Sequence, residues 1–536
     1  MKYRTERDPL GEVKVPAAAY YGVQTRRAVE NFPISGLTAP VELVVATVQI
    51  KKAAAQANAA LGRLDTAIAD AIVRAADEVL GGKLRDQFVV DVYQAGAGTS
   101  HNMNTNEVLA NRAAEILGGR RGEYSRVHPN DHVNMGQSTN DVFPTATRLA
   151  VLSMASPLAE AGRELGRALH RKSEEFASVL KTGRTHLQDA VPITLGQEFG
   201  GYSANVLHAA GQVALTSVQL LEMNLGATAV GTGLNAGDEY TERAVSNLAA
   251  NTGLPVEPAA SRFRVTQSMG DLLAYSSALR RLAVEVSKIA SDLRLLSSGP
   301  RAGLAEISLP AVQPGSSIMP GKVNPSVPEM VNQVCYQVYG CDAAILAAAD
   351  GGQLELNVMM PVIAWNAIHA TRILTAAMNV LRSRCVDGVR ADEDRCRELL
   401  DRSTALATAL SPYIGYAATA DIAKTAVATG RPVRELVRER GLIPDDELDA
   451  ILSPEAMTTP GIPGQTSKVA HGKTTSAKRA AAGAAPRGGG RGGRAAARPS
   501  VPAGGPGAPR GAGSGRVAAA RPGHGRAAHR RRKPRR

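Results

Sequence analysis

The chain has 536 residues, more than one ordinary compact domain holds and enough for two or three domains with a large buried core. All 49 acidic residues and 44 of the 62 basic residues lie in residues 1–464, whereas residues 465–536 hold the other 18 basic residues. The body is therefore mildly acidic. The net charge of +13 therefore comes from the C-terminal segment, and this distribution confines any general affinity for polyanions to that segment.

Cysteine usage and the N-terminal sequence indicate the compartment. The four cysteines, Cys335, Cys341, Cys385 and Cys396, show neither CxxC spacing nor the density of a disulfide framework. Residues 1–8 contain no apolar region of a signal peptide, and no apolar stretch is long enough to cross a bilayer. We expect a cytoplasmic protein without a membrane partner.

Long helices dominate the predicted secondary structure. Aromatic residues make up 4% of the chain, alanine is abundant, and the apolar residues recur at helical spacing. The predicted long helices cover residues 144–181, 191–225, 265–297, 325–350 and 360–384. Alanine-rich helices of this length pack closely in bundles. Because residues 327–348 are apolar around much of the helix, we also expect an oligomer that covers more than one side.

Five segments between these helices are dense in Gly, Ser, Thr, Asn and His, and loops of this kind are where chemistry is sought. They are residues 96–106, 128–140, 182–189, 231–238 and 313–325. After residue 462 the sequence turns to Ala, Gly, Arg and Pro, which bury too little apolar surface to fold. Residues 465–536 are therefore predicted to be disordered.

The basic C-terminal segment allows two interpretations. Its arginines and lysines suit electrostatic binding of nucleic acid. It has no aromatic residue on which a base would stack, so sequence-specific recognition is not indicated. We favour a solvated, dispensable extension over a nucleic-acid-binding tail.

The segment 315–325 carries the most chemical information. It reads Gly-Ser-Ser-Ile-Met-Pro-Gly-Lys-Val-Asn-Pro, and its backbone N–H groups, hydroxyls, lysine and amide are suited to gripping an anion. It is not a phosphate-binding loop, because the spacing from Gly315 to Gly321 is too long and Val323 replaces the hydroxyl that would hold magnesium. From these residues alone, a Gly- and Pro-rich turn with an incidental lysine remains an alternative.

This segment resembles the signature loop, GSSxMPxKxNP, of the aspartase/fumarase superfamily. Residues 98–104, 137–141, 183–190 and 231–235 resemble the other active-site stretches of the family in the same order, and the resemblance extends from about residue 4 to 464. It implies a mainly α fold with three domains, at residues 1–141, 142–395 and 396–464. It also implies that the central helical bundles of four chains form the core of a homotetramer with active sites shared between subunits.

Within the superfamily, residues 20–25, 138–140 and 457–462 resemble the aspartase branch, whereas residues 128–134 are at least as typical of fumarases. The resemblance therefore implies reversible removal of ammonia from L-aspartate to give fumarate. A class II fumarase is the alternative, and a non-enzymatic protein on a lyase fold with a nucleic-acid-binding tail is the second alternative. The last predicts damage to the signature loop, yet that loop is intact.

The reaction explains why several donors are needed. Removing the proton beside a carboxylate places a second negative charge on that carboxylate, which the enzyme must stabilise. The resemblance implies that Ser316 is the general base, acting as an alkoxide on a mobile loop; a merely structural serine is the alternative. The implied binding residues are Thr99, Ser138, Thr139 and Ser317 for the carboxylate that gains charge, Thr185, Lys322 and Asn324 for the other carboxylate, and Asn140 and His186 for the amino group.

Several residues allow other readings. Because histidine is a residue type that commonly acts as a base near neutral pH, His186 is a candidate base, and a packing residue is the alternative. His128 and His132 are spaced like metal ligands, but Pro129 disfavours a regular helix there and no further ligand cluster is evident, so no metal is expected. Residues 231–236 approach a dinucleotide fingerprint outside any strand-helix-strand unit. The chain lacks the Ala-Ser-Gly tripeptide from which aromatic amino-acid ammonia-lyases form their prosthetic group, and no cofactor is expected.

Overall fold

Helices make up most of the protein, as the spacing of apolar residues predicted. A computed structural model describes residues 2–465. The predictions of disorder and of nucleic-acid binding for the tail concern residues that lie, from position 466 onward, outside this range. The helices are α1 (Val23–Asn31), α2 (Val41–Ala60), α3 (Thr66–Leu80), α4 (Thr99–Ile116), α5 (Thr139–Glu175), α6 (Leu195–Ser217), α7 (Asp238–Thr252), α8 (Arg262–Gln267), α9 (Gly270–Leu296), α10 (Ser326–Asp350), α11 (Met360–Arg384), α12 (Glu393–Asp401), α13 (Ala407–Thr429), α14 (Val433–Glu439), α15 (Asp445–Ile451) and α16 (Pro454–Thr458).

Strands are few and short in the described part of the chain, and each sheet there has two strands. The strands are β1 (Tyr3–Asp8), β2 (Gly11–Pro16), β3 (Leu180–Thr185), β4 (Gln188–Thr194), β5 (Glu222–Met223), β6 (Glu257–Pro258), β7 (Ile307–Ser308) and β8 (Arg390–Ala391). β5 and β6 pair in parallel, while the other pairs are antiparallel. The fold is therefore mainly α, as predicted. Among the described residues, no helix is both long and apolar enough to cross a membrane.

Five long helices, α5, α6, α9, α10 and α11, form the central bundle. Arg148 of α5 pairs with Asp271 of α9 at 2.6 Å, which places the beginnings of these two helices side by side. The start of α6 packs against the end of α5, where a side chain at Gly196 would overlap the backbone of Ser173. Asn332, near the start of α10, donates to the Ser287 carbonyl at 2.9 Å in the second half of α9. α6 and α10 are thus antiparallel to α5 and α9.

This arrangement defines two ends of the bundle. At the first end α5 and α9 begin; at the second end they finish and α6 and α10 begin. α9 has 27 residues, which corresponds to about 40 Å at about 1.5 Å per residue. A loop that precedes α5 is therefore separated from a loop that precedes α10 by roughly this length.

Three of the five predicted long helices have boundaries that differ from the prediction. α5 ends at Glu175 and α6 begins at Leu195, because the intervening residues form the β3–β4 hairpin. The Thr194 hydroxyl accepts from the Gln197 N–H at 3.0 Å while the Gln197 side chain accepts from the Thr194 N–H at 3.1 Å, a capping box that fixes the start of α6. The predicted helix at 265–297 is divided between α8 and α9. The helices predicted at 325–350 and 360–384 are confirmed.

α5 begins five residues before the predicted position, and Pro144 lies inside it. Proline has no N–H to donate to the carbonyl four residues earlier. That carbonyl, of Asn140, instead accepts from Asn224 Nδ2 at 3.1 Å. A tertiary contact therefore compensates for the lost backbone hydrogen bond and lets the helix start at Thr139.

Buried apolar side chains form three clusters. The largest lies mainly between the bundle helices, a second involves residues from 44 to 133, and a third involves Leu180 and residues from 400 to 452. The four cysteines are free and buried. The largest cluster also includes residues of α2, such as Leu43 and Ile50. The division into domains at 1–141, 142–395 and 396–464 stays a prediction.

The ion pair of Arg148 with Asp271 provides a test of the bundle. Replacing Arg148, which is fully buried, by Met leaves the Asp271 carboxylate in the core without its counter-ion. Loss of one partner of a buried pair costs about 3–5 kcal/mol, and we expect a decrease of that size in the free energy of unfolding by urea. Arg167→Met, on an exposed face of the same helix, is the matched control and should change little. Equal stabilities of the two variants would contradict this role.

Candidate active site

The turn at residues 138–140 begins α5 at the first end of the bundle. The Ser138 hydroxyl accepts from the Asn140 N–H at 3.2 Å. The Thr139 hydroxyl accepts from Asn102 Nδ2 at 3.1 Å. Asn140 Nδ2 donates to the Ala229 carbonyl at 2.8 Å, so the loop that contains residues 231–235 borders this turn. Three predicted site residues thus lie together with their backbone conformation fixed.

The side chain of Asp141 holds the 138–140 turn in place. Its carboxylate is fully buried and accepts backbone N–H groups from Ser138 at 2.9 Å, Gly226 at 3.0 Å and Thr228 at 2.9 Å. Burial raises the pKa of Asp141 to about 7, while the three amide hydrogen bonds and the nearby Lys51 oppose the rise. One carboxylate therefore holds the start of α5 against the loop at 226–228.

Thr99 begins α4 beside this turn. Segment 96–106 was predicted as a loop, which is wrong after Gly98, because Thr99 to Asn106 form the first turns of α4. Gly98 has φ +86° and lies against the Phe143 ring. Its left-handed conformation, which glycine adopts readily, lets the chain turn into α4. Asn102, one turn after Thr99, makes the hydrogen bond to Thr139. Thr99 and the 138–140 turn therefore share the first end of the bundle.

The signature loop lies at the second end, directly before α10. Lys322 contributes its carbonyl, which accepts from the Gly315 N–H at 2.8 Å, and Asn324 Nδ2 donates to the Gly315 carbonyl at 2.7 Å. These bonds close the loop at its base, and the Lys322 side chain is exposed. Gly315 is required here, because a Cβ at this position would overlap the Lys322 carbonyl.

Ser316 lies inside this closed loop, next to the exposed Ser317. Its Oγ accepts from the N–H groups of Ile318 at 3.2 Å and Met319 at 3.0 Å. Backbone N–H groups aimed at an oxygen stabilise negative charge on it. The loop thus directs two backbone donors at the Ser316 hydroxyl.

Thr185 and His186 lie at the tip of the β3–β4 hairpin, also at the second end, and both are exposed. His186 and Leu187 have φ values of 55° and 59°, which is the conformation of a two-residue hairpin turn. Behind the tip, Arg184 forms an ion pair with the fully buried Glu306 at 3.0 Å. The hairpin is therefore anchored near the strand that leads towards the signature loop.

The predicted site residues form two groups in one chain. Thr99 and the 138–140 turn lie at the first end, whereas the hairpin tip and the signature loop lie at the second end. Among the described residues, no hydrogen bond or ion pair joins the two groups. The length of α9 implies a separation of about 40 Å.

Two features singled out as possible metal ligands have a local structural role. His128 Nδ1 accepts from the N–H groups of Asn130 at 3.3 Å and Asp131 at 3.2 Å. His132 Nδ1 accepts from the His128 N–H at 2.9 Å. Both rings thus cap the single π-helical turn at Pro129–Val133. Within residues 2–465, no cluster of three or more His, Cys, Asp or Glu side chains is arranged to hold a metal ion.

Sequence reasoning missed three supporting residues. They are Asp141 and Asn102, which lie within the motifs at 137–141 and 98–104, and Lys51, which lies outside all of them. Lys51 is fully buried and donates to side chains of the segment before α5. Asp141 and Asn102 are polar residues within the motifs, which is a signal that the sequence offers, whereas Lys51 lies far from every motif and its burial depends on tertiary packing.

Comparison with known proteins identifies the class. A family model described as "Lyase" matches residues 11–340, and one described as "Fumarase C C-terminus" matches residues 406–459. The chain belongs to the aspartase/fumarase superfamily of lyases, which confirms the family that the signature loop predicted.

The similarity to individual proteins extends over most of the chain. Aspartate ammonia-lyase of Bacillus sp is 50% identical over 462 residues, covering 86% of this chain and 99% of the relative. Aspartate ammonia-lyase of Escherichia coli (strain K12) is 50% identical over 460 residues, covering 85% and 96%. The crystal structure of fumarate lyase:delta crystallin from Brucella melitensis bound to cobalt has a TM-score of 0.83 at 50% identity, covering 86% of this chain and all of that one. Recombinant class II fumarase from Schistosoma mansoni has a TM-score of 0.83 at 38% identity, with the same coverage.

Substitution of Gly98 tests the close contact with Phe143 at the start of α4, directly before Thr99. Gly98→Ala adds a methyl group against the ring in addition to the strain of a left-handed alanine. We expect a loss of about 2–4 kcal/mol in unfolding free energy. Gly62→Ala is the matched control, because Gly62 is also left-handed but has open space around its Cα, and it should cost about 1 kcal/mol. Chemical denaturation of both variants measures the difference, and equal losses would exclude the steric contribution of Phe143.

Proposed function

We propose that this protein catalyses the reversible deamination of L-aspartate to fumarate and ammonia, with Ser316 as the general base and an aci-carboxylate intermediate. The observation that carries the proposal is the pair of N–H groups, from Ile318 and Met319, directed at Ser316 Oγ. Aspartate ammonia-lyases that are about half identical over most of the chain support the choice of substrate. No cofactor is part of the proposed mechanism.

Ser316 abstracts the proton next to the carboxylate that then accumulates charge. A serine is an effective base only as the alkoxide, and hydrogen bonds from fixed backbone donors favour that form. Those donors lie within three residues of the serine, so they move with it when the loop moves. The base can thus be delivered to the substrate together with the groups that stabilise it.

The other residues supply donors for the substrate. We assign Thr99, Ser138, Thr139 and Ser317 to the carboxylate that gains charge, Thr185, Lys322 and Asn324 to the other carboxylate, and Asn140 and His186 to the amino group. Asn324 and Asn140 each use one side-chain N–H in a backbone contact, which fixes the amide and leaves its second N–H for a ligand. The assignment requires residues from both ends of the bundle.

A shared site follows from that requirement. We propose a homotetramer in which bundles pack so that the first end of one subunit meets the second end of others, and each site draws loops from three subunits. Exposed stripes of small and apolar residues on two bundle helices support this contact. They consist of Gly201, Ala204, Gly211 and Leu215 on α6, and of Tyr336, Gly340, Ala343 and Ala347 on α10. Small residues let helices approach closely.

The three-domain division at 1–141, 142–395 and 396–464 is retained as part of this proposal. The three buried clusters support it. We also propose a cytoplasmic location, with the free, buried cysteines suited to a reducing compartment. Nucleic-acid binding by residues 465–536 is not part of the proposed function.

Activity is tested by the ultraviolet absorbance of fumarate after purified protein is mixed with L-aspartate or with L-malate. We expect absorbance to rise with L-aspartate. Ser316→Ala should lower kcat by about 10²–10⁴-fold, the usual contribution of a positioned base. Ser326→Ala, in which the serine begins α10 outside the proposed site, is the matched control and should keep activity. A rise only with L-malate would assign the protein to fumarases, and no rise with either would reject both activities.

Shared sites are tested with hybrid oligomers. Ser316→Ala and Thr139→Val place their defects at opposite ends of the bundle, so each variant alone should be nearly inactive. When the two are unfolded together and refolded, some sites receive an intact Ser316 from one subunit and an intact Thr139 from another, and activity should return. Refolding Ser316→Ala with the double variant controls for nonspecific recovery. If the first mixture stays as inactive as this control, the site lies within one subunit.

A further inference from the structure

Two adjacent lysines of α2 have opposite environments. Lys52 reaches the surface and pairs with Asp77 at 2.7 Å. Lys51 is fully buried, and among the described residues no carboxylate lies within ion-pair distance of its ammonium group. Burying an unpaired charge is costly, so a lysine in this position requires an explanation beyond packing.

The partners of Lys51 are amide oxygens just before the site. Its Nζ donates to Asn134 Oδ1 at 2.8 Å and to Gln137 Oε1 at 2.9 Å. Gln137 directly precedes Ser138, the first residue of the carboxylate-binding turn. The lysine thus supports the backbone that leads into the proposed site.

A second path reaches the hydroxyl of Thr139. Asn134 Oδ1 also accepts from Asn102 Nδ2 at 3.2 Å, and the same Nδ2 donates to Thr139 Oγ1 at 3.1 Å. Because Thr139 Oγ1 is used as an acceptor, its own hydrogen is free to point towards a ligand. Lys51 and Asn102 thus share Asn134 Oδ1 as an acceptor. This shared contact holds the lysine close behind Thr139, and its charge acts on a bound anion through space.

Charged groups around Lys51 do not neutralise it fully. Asp141 on α5 is the facing carboxylate, and it favours the charged lysine. On α4, burial and the Lys51 charge lower the pKa of His101 to about 4, so that ring is neutral near pH 7. Burial lowers the pKa of Lys51 itself to about 7, with Asp141 opposing the shift. A substrate dianion would add a favourable interaction with the protonated form.

We propose that Lys51 is a positioning residue that gains a proton from solvent when a dicarboxylate binds at the 138–139 turn, and so couples substrate binding to the buried charge behind the site. The step adds one proton to a neutral amine and needs no other reactant. The proposal rests on the proposed dicarboxylate site. It extends that proposal by giving the site a built-in dependence of affinity on pH.

The sign of this dependence follows from linkage. A ligand that raises the pKa of Lys51 binds most tightly when the lysine is already protonated, below about pH 7. Above that pH, binding must take up a proton, and affinity should fall by up to about tenfold per pH unit until the pKa of the complex is reached. Burial also raises the pKa of the facing Asp141 to about 7, so any proton uptake that persists in Lys51→Met belongs to that carboxylate and not to Lys51.

The test uses calorimetric titration of the full-length protein with succinate, a dicarboxylate that cannot eliminate ammonia. Repeating the titration at pH 8 in buffers of different ionisation enthalpy gives the number of protons taken up. We expect uptake by the unmodified protein and by Lys52→Met, and weaker binding with no uptake by Lys51→Met. A purely structural lysine would weaken binding without changing proton uptake. The same uptake in Lys51→Met as in the unmodified protein would overturn the proposal.

A second measurement does not depend on the folding of a variant. The affinity of the unmodified protein for succinate should fall between pH 7.5 and 9, and an affinity that is constant over this range would overturn the proposal. Succinate binding and turnover of L-aspartate are separate readouts. If proton uptake is found but no L-aspartate is consumed, the proposed reaction fails while the role of Lys51 stands.

Discussion

The antiparallel packing of long helices is the constraint on which the rest of the structure depends. Where α5 and α6 cross, Gly162 faces Ala210 and Gly166 faces Leu207 so closely that a side chain on either glycine would overlap its neighbour. Helices held at this distance run straight past each other for many turns. Their ends, and the loops attached to them, are therefore kept far apart.

Because of that separation, the residues of the candidate site lie at two distant ends of the bundle. At the first end of the bundle, a capped turn is held by buried polar groups. At the second end, a closed loop directs two N–H groups at one serine. Neither the turn nor the loop forms the proposed site alone. In the proposed homotetramer, association of chains is part of building the site, and the exposed small and apolar residues on α6 and α10 serve catalysis as well as stability.

Much of the fold and of the site was predictable from sequence, for identifiable reasons. Helical spacing of apolar residues predicted the bundle, and α10 and α11 were confirmed because Pro325 and the proline at the start of α11 mark their beginnings. The start of α5 was predicted too late. A proline such as Pro144 normally disfavours a helix that continues through it, and the compensating contact from Asn224 comes from 84 residues along the chain. The segment after Gly98 was predicted as a loop because its Ser, Asn and Thr residues are usually found in loops.

The sequence by itself determined the family, the mainly helical class and the residues that carry the proposed chemistry, because these properties reside in short motifs and in local periodicity. Only the tertiary structure decided where those residues lie and what supports them. The burial of Lys51, the three amides on Asp141 and the placement of the motifs at opposite ends all depend on contacts between segments far apart in the chain. Burial and hydrogen-bond partners are set by how helices pack, and adjacent residues as similar as Lys51 and Lys52 acquire different environments only through that packing.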